Sequence, residues 1–341
     1  MGDSTTPKPP EAAGASTPAP PSPPWAGASW TAYTPALPLA VAFSGGADST
    51  AMLLACHARW PGKVHALHIN HGLHAAAAEF EAHCKHLCQQ LGVPLWCDRV
   101  HIDLHKGDSL EQAARLARYE ALARLAGQAG VQQGSVVVAH HADDQVETVL
   151  LALLRGAGLP GLAAMPERFE RHGVRFDRPW LHVHAQDIRS WLRSTGQAWV
   201  EDPSNDQLAH TRNRIRHALA PVLDAHFPAH RQTLARSARH AAQAQGLLRE
   251  VGEQDLKACG LPPRIKDLQA LSPARLANAL RVWLKGLGLR VNTAQLDELM
   301  SQVQACTTQG HHIELKVGEG RVVRQAEVLV GYNLPLSTGR K

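Results

Sequence analysis

The sequence predicts an α/β protein: a parallel-sheet domain covered by helices on both faces, then a helical segment, then a small α+β domain. Three observations carry this. From residue 39, short apolar runs alternate with longer stretches whose apolar residues recur every three or four positions; after about residue 185 helical spacing dominates through 249; and near the end two helical stretches precede two strand-like runs. Leu39 to Phe43, Val64 to Ile69, Leu95 to Val100 and Val136 to Ala139 are short apolar runs of the kind that fill strands buried on both faces. Between them, 48–59, 76–91 and 109–127 carry helical periodicity. Strands separated by helices pair in parallel through crossovers, and such sheets bind ligands at the carboxyl ends of their strands. A linker is expected near 246–262, followed by helices over 273–286 and 293–305. Strands from His312 to Val317 and Arg321 to Val330 would then be joined by the turn Gly318-Glu319-Gly320.

Length and composition set outer bounds. At 341 residues the chain has room for two domains, and it contains no apolar run long enough to span a bilayer. Residues 1–38 hold ten of the 22 prolines, with Ala, Ser and Thr around them, and are expected to form a disordered tail. That segment lacks the basic start and apolar core of a secretory signal, and it has no arginine. The expected location is cytoplasmic, in keeping with six scattered cysteines that form no disulfide framework. Cys84 and Cys88, although flanked by His83 and His86, lie in a helical stretch without a second ligand pair and are expected to be buried thiols. A net charge of +5 suits a polyanionic partner without demanding one.

The first run, Leu39 to Phe43, leads directly into Ser44-Gly45-Gly46-Ala47-Asp48-Ser49-Thr50. Adjacent glycines let the backbone turn sharply and approach an anion, while free amides and hydroxyls at the following helix start point at the same spot. The loop lacks the lysine of G-x-x-x-x-G-K-[ST], which disfavours kinase or GTPase chemistry. Asp48 offers instead a carboxylate for Mg²⁺ at the phosphates.

Val136 to Ala139 leads into His140-His141-Ala142-Asp143-Asp144-Gln145-Val146-Glu147-Thr148 and an apolar helix. In a parallel sheet this polar cluster faces the same crevice as the glycine loop. Asp144 and Glu147, three apart, share one helical face where they can meet a metal ion or a cationic substrate. Between Gln207 and Gln245, six arginines and five histidines stand against the single acid Asp224, a charge pattern suited to RNA phosphates. Arg212, Asn213 and Arg216 are the named RNA-binding candidates, Asn213 because its amide both donates and accepts.

The S-G-G-x-D-S string resembles the signature of the PP-loop, or N-type ATP pyrophosphatase, superfamily. The string from Ala139 to Thr148 matches the A-H-H-x-D-D-Q-x-E-T motif of tRNA(Ile)-lysidine synthases in every fixed letter. Further matches follow in family order: His68-Ile69-Asn70-His71-Gly72-Leu73, Glu111-Gln112-Ala113-Ala114-Arg115 with Arg118-Tyr119, and Leu154 to Gly158. Arg178-Pro179, Trp199 to Asn205, and Arg212-Asn213-Arg214-Ile215-Arg216 complete the series. The resemblance is dense over 39–245 and loose over 246–333. His74 stands where the family usually has arginine, Trp180 interrupts the usual R-P-L, and the last domain of longer members has no counterpart.

The resemblance implies a Rossmann-like PP-loop ATPase domain with a helical RNA-contacting extension over 39–245, a small α+β tRNA-binding domain over 246–333 and a tail over 334–341. It implies an ATP-dependent ligase that adenylates the first anticodon cytidine of a tRNA(Ile) and joins free L-lysine to it. Ser44, Gly45, Gly46, Ala47, Asp48 and Ser49 would bind ATP, and Asp48 with Asp144 would hold Mg²⁺. Asp144 and Glu147 would serve the amine, Arg115 the phosphate charge, and His140 the base or phosphate. A homodimer is compatible with the sequence, which leaves the oligomeric state open. A tRNA thiolase of the same superfamily would need a cysteine pair near the crevice, and an amidotransferase-type synthetase an ammonia-generating domain; neither is evident.

Overall fold

The structure, a computed structural model, describes residues 23, 28–70, 77–100, 110–202, 211–308, 310–318 and 320–333. The chain divides into two compact units, one comprising Met1–Gly156 with Ala164–Arg236 and the other Ala157–Ala163 with Ser237–Lys341. The first begins with α1 (Ala28–Ala32), β1 (Leu39–Ala42), α2 (Ala47–Arg59), β2 (Val64–Asn70), α3 (Ala77–Leu91), β3 (Leu95–Arg99) and α4 (Leu110–Gln128). After β4 (Ser135–Val137) and α5 (Ala142–Leu154) the chain passes through a short α6 (Leu159–Leu162), which belongs to the second unit. Then follow β5 (Arg168–Arg171), β6 (Val174–Asp177), α7 (Ala185–Ser194), α8 (Thr211–Arg214), a π-helical turn over Ile215–Leu219 and α9 (Ala220–His226).

The sheet order is β3-β2-β1-β4-β6-β5, parallel throughout except for β5, which pairs antiparallel with β6 at the edge. Every residue of β1 and β4 is buried, as expected for strands covered on both faces. Successive β1 side chains divide between two cores. Leu39 and Val41 pack with Met52 and Leu53 of α2, Leu87 of α3 and Ile188 of α7, whereas Ala40 and Ala42 pack with Leu122 and Leu125 of α4. The period-2 alternation of a strand thus lays α2, α3 and α7 on one face and α4 on the other. The chain leaves β1 toward β2 on one side and reaches β4 on the other, so the gap between β1 and β4 is the switch point where such sheets bind ligands.

Two expectations for this unit are corrected. Within the segment 28–38, expected as part of the tail, Trp30 and Tyr33 join the core. Trp30 and Tyr33 are each 5% exposed, Trp30 meets Trp60 edge-on at 5.6 Å, and Arg59 lies over both tryptophan rings and donates to the Trp30 carbonyl. Two large aromatics outweigh the surrounding prolines because each buries far more apolar area than an Ala or Ser. The hairpin β5–β6 was also not expected. His172 and Gly173 both have positive φ, 51° and 71°, the conformation of a two-residue hairpin turn, and they close strands carrying five charged residues that mask the alternation of Phe169, Val174 and Phe176. Residues 1–22, the greater part of the expected tail, lie outside the described residues, as do 334–341.

The second unit contains most of α10 (His230–Cys259), α11 (Ile265–Gln269), α12 (Pro273–Gly286), α13 (Thr293–Ala305) and an antiparallel sheet β7 (Glu314–Val317), β8 (Gly320–Gln325), β9 (Val328–Tyr332). The expected linker over 246–262 is instead continuous helix to Cys259, so the boundary expected at 245 falls inside α10. Gly246 and Gly252 suggest a break, yet each costs a helix only about 1 kcal/mol. At Gly252 a Cβ would lie 2.7 Å from Val282 Cγ2, so this glycine permits α10 to close on α12. The run from Arg321 to Val330, expected as one strand, is a hairpin that turns at Ala326 with φ 53°, a position with no glycine or asparagine to signal it. Among the described residues no helix is long and apolar enough to cross a membrane.

Candidate active site

The β1–α2 and β4–α5 loops leave the same edge of adjacent parallel strands, paired Ala40 with Val136 and Val41 with Val137. The first loop is braced from within. Ser44 N–H donates to Ser49 Oγ at 3.2 Å, the Ser44 and Ser49 hydroxyls meet at 3.0 Å, and Ser49 Oγ donates to the Gly46 carbonyl at 3.0 Å. Gly45 has φ +88°, and a Cβ there would sit 3.1 Å from Cys84 Sγ on α3. Its carbonyl accepts from Val200 N–H at 3.0 Å, so the chain after α7 closes on the loop. Gly46 then caps α2 with extended backbone, leaving the first amides of α2 free for an anion. Gly45→Ala is therefore expected to weaken nucleotide binding at least tenfold and to cost about 1–2 kcal/mol of stability from the left-handed backbone alone. Isothermal titration with ATP and thermal melting check this.

At the head of α5, His141 caps the helix: its backbone N–H donates to Asp144 Oδ2 at 2.9 Å. Its Nε2 lies 3.6 Å from Asp48 Oδ2 of the glycine loop and 3.5 Å from Asp144 Oδ2, and its Nδ1 lies 3.8 Å from Asp143. Burial alone would lower the His141 pKa, but the Asp144, Asp48 and Asp143 carboxylates lift it to about 9. An imidazolium donates from both nitrogens, so the 3.4 Å approach of Asp144 N–H to Nδ1 is a close contact rather than a strong bond. Burial likewise pushes the Asp48 pKa up, but His141, Arg189 and Arg216 more than offset it and hold the carboxyl below its ordinary value. Asp48 Oδ1 is buried without a hydrogen-bond partner.

The contact chain continues from Asp144 to the basic segment. Arg216 Nη2 lies 3.9 Å from Asp144 Oδ1, Arg216 Nε donates to Glu147 Oε1 at 2.8 Å, and Arg212 Nη1 lies 3.7 Å from Glu147 Oε2. Glu147 is 3% exposed, and burial raises its pKa despite both arginines. Two of the three RNA-binding candidates, Arg212 and Arg216, therefore reach the α5 carboxylates. The third, Asn213, is buried at 7% exposure. R-N-x-I-R thus brings Arg212 and Arg216 to Glu147, while Asn213 is buried.

On the other side of Asp144, His140 accepts at Nδ1 from Arg178 Nε–H at 3.0 Å. Arg178 Nη2 donates to the Tyr119 hydroxyl at 3.1 Å, and the exposed Arg115 guanidinium stands 5.9 Å from the Tyr119 ring. Arg178 and His141 were not assigned roles from the sequence, although both lie inside quoted motifs. Asp143 and Gln145 are structural: Asp143 accepts from Ala185 N–H and Arg231, and Gln145 exchanges two hydrogen bonds with the Met165 backbone. His68 Nδ1 donates to the Phe43 carbonyl at 3.0 Å and so ties β2 to the loop entrance. His71 to Leu73, His74, Pro203 to Asn205 and the Glu111 and Gln112 side chains lie outside the described residues.

A glycine loop and an acidic helix start meeting at the switch point define a PP-loop nucleotide-binding protein, and the PP-loop domain family model matches residues 30–223. A solved U34-tRNA thiolase from Methanococcus maripaludis shares the fold, with a TM-score of 0.50 at 15% identity over 59% of this chain and 70% of that one. A second model, the TilS substrate binding domain, matches residues 264–330. The chain is 54% identical to a tRNA(Ile)-lysidine synthase of Polaromonas naphthalenivorans, covering 84% of this chain and 87% of that protein. It is 41% identical to the Bordetella pertussis tRNA(Ile)-lysidine synthase over 92% of that protein's length, and 45% identical to the longer one of Ralstonia nicotianae, of which it spans 60%. The chain belongs to the tRNA(Ile)-lysidine synthase family, ligases built on an ATP-using PP-loop domain.

Proposed function

We propose that the chain adenylates the first anticodon cytidine of a tRNA(Ile) and then joins free L-lysine to it, giving lysidine, AMP and pyrophosphate. One observation carries the reading: His141 Nε2 lies within 3.6 Å of carboxylates from both loops, so the phosphate cradle and the acidic helix start form one pocket. The phosphates of ATP would rest on the amides and hydroxyls of Ser44 to Ser49. The cytidine O2 attacks the α-phosphorus, pyrophosphate leaves, and C2 of the adenylated base becomes electrophilic. The lysine ε-amine then forms the C2–N bond as the C2–O bond to AMP breaks.

Free lysine arrives as an ammonium, its pKa near 10.4, and must lose a proton before or during attack. Asp144, with a side chain 17% exposed against 4% for Glu147, is the more accessible carboxylate for that cation, and Glu147 is engaged by Arg216 and Arg212. The arginines would balance the charge that builds as pyrophosphate leaves. Asp48 and Asp144 suit Mg²⁺, an ion held by one or two carboxylates plus substrate phosphates, and the unpartnered Asp48 Oδ1 fits that use. Mg²⁺ would supply charge neutralisation at the phosphates.

Incubation with ATP, Mg²⁺, labelled L-lysine and a tRNA(Ile) transcript, followed by nucleoside analysis, tests the reading. Label is expected in the nucleoside at the first anticodon position, with one AMP formed per lysine incorporated. Adenylation without lysine transfer would overturn the second step alone.

A further inference from the structure

Arg178, which directly follows β6, is held by three hydrogen bonds and an aromatic ring. Its Nη1 donates to the Pro166 carbonyl at 2.8 Å and its Nη2 to the Tyr119 hydroxyl at 3.1 Å, while the guanidinium lies 4.2 Å from the Phe169 ring centre. Its Nε–H donates to His140 Nδ1 at 3.0 Å. A guanidinium only donates, so the ring nitrogen facing it must be an unprotonated acceptor. A neutral imidazole with a bare Nδ1 carries its proton on Nε2.

The surroundings keep the ring neutral. Burial holds the His140 pKa well below its ordinary value, and Arg178, Arg118, Arg115 and His141 all add positive charge around it. Among the described residues no protein group engages His140 Nε2. An arginine serving only the fold would be satisfied by the Pro166 carbonyl, the Tyr119 hydroxyl and the Phe169 ring. Setting it against an imidazole as well does one further thing, which is to stop that imidazole from protonating or turning over.

We propose that Arg178 is a positioning residue that locks His140 in the Nε2–H tautomer, making His140 a fixed neutral hydrogen-bond donor to a phosphoryl oxygen of the nucleotide rather than an acid–base catalyst. The donor stands at the carboxyl end of β4, one strand from the phosphate loop. A neutral donor held in place strengthens its bond as charge grows on the oxygen and needs no proton to move. This rests on the function proposed above for the nucleotide, but not on lysine being the final nucleophile.

The test is nitrogen NMR of the full chain labelled with ¹⁵N-histidine, the His140 signals being assigned by their loss in His140→Gln. At neutral pH the wild-type ring is expected to show an unprotonated Nδ1 and a protonated Nε2; an imidazolium or an Nδ1–H ring overturns the proposal whatever the variants do. In Arg178→Lys and Arg178→Met the two tautomers are expected to mix, and kcat for adenylation to fall about 10–100-fold with the KM for ATP little changed. A tautomer unchanged in both variants overturns the positioning role. His140→Gln places an amide N–H near the former Nε2 and is expected to lose less than about tenfold, against about 100-fold or more for His140→Ala. Equal loss in the two would assign His140 to proton transfer and end the proposal. The NMR arm reads the ring directly, so it stands or falls apart from the lysine reaction.

Discussion

Asp144→Asn is expected to lower tRNA-dependent ATP/pyrophosphate exchange about 100–1,000-fold while leaving the melting temperature within a few degrees of wild type. The carboxylate touches three parts of the site at once: it accepts from His141 N–H at 2.9 Å, lies 3.5 Å from His141 Nε2, and faces Arg216 at 3.9 Å. Asparagine keeps the oxygen that caps α5 and removes the charge. What remains is thus a test of electrostatics rather than of folding. Asp144→Ala removes both, so it is expected to abolish exchange and to cost a further 0.5–2 kcal/mol, roughly, from the lost cap. Exchange measured with labelled pyrophosphate separates adenylation from lysine transfer. Normal exchange with absent lysidine would confine Asp144 to the amine, and normal activity in both steps would remove it from the site.

The parallel sheet was legible because β1, β2 and β4 are apolar runs that tertiary structure had no reason to override, and the observed bounds of β1 to β4 differ from those expected by no more than about two residues; β3, expected as buried, is an edge strand with no buried residue. The meeting of the two loops was legible too, since strand-then-polar-cluster twice in one parallel sheet places both clusters on one edge. Side-chain direction was not. R-N-x-I-R looks like an RNA-facing string, yet Arg212 and Arg216, four apart and so on one helical face, both reach Glu147, while Asn213 is buried. Arg178 escaped for a related reason: its strand β6 was not recognised, so nothing placed it beside His140. Trp30 and Tyr33 escaped because composition averaged over 38 residues hides two aromatics that act one by one.

The same contacts change what is expected of Arg216→Ala. An arginine lying along RNA phosphates would, when removed, reduce the slope of log K against log salt by about one and leave stability alone. Arg216 instead donates to a carboxylate whose side chain is 4% exposed, while its own is 37% exposed. Removing it leaves Glu147 charged and buried, with Arg212 at 3.7 Å its remaining ion-pair partner among the described residues. A one-sided break of a buried pair is costly, and screening at the exposed arginine moderates it, so a loss of about 1–3 kcal/mol is expected. The pH dependence gives the sign. Burial already raises the Glu147 pKa and Arg216 draws it down, so Arg216→Ala raises it further. A carboxyl with a raised folded-state pKa favours the fold below its unfolded value, near 4.3, and loses that contribution as pH rises through the folded-state value. The destabilisation of Arg216→Ala should therefore be small at acid pH and grow toward neutrality. Adding Glu147→Gln should relieve most of it, because an amide needs no counter-charge. Thermal denaturation of the two single variants and the double variant across pH measures the coupling directly. A pH-independent loss, or none, together with a reduced salt slope for tRNA binding would return Arg216 to the RNA and leave Glu147 without the partner assigned to it here.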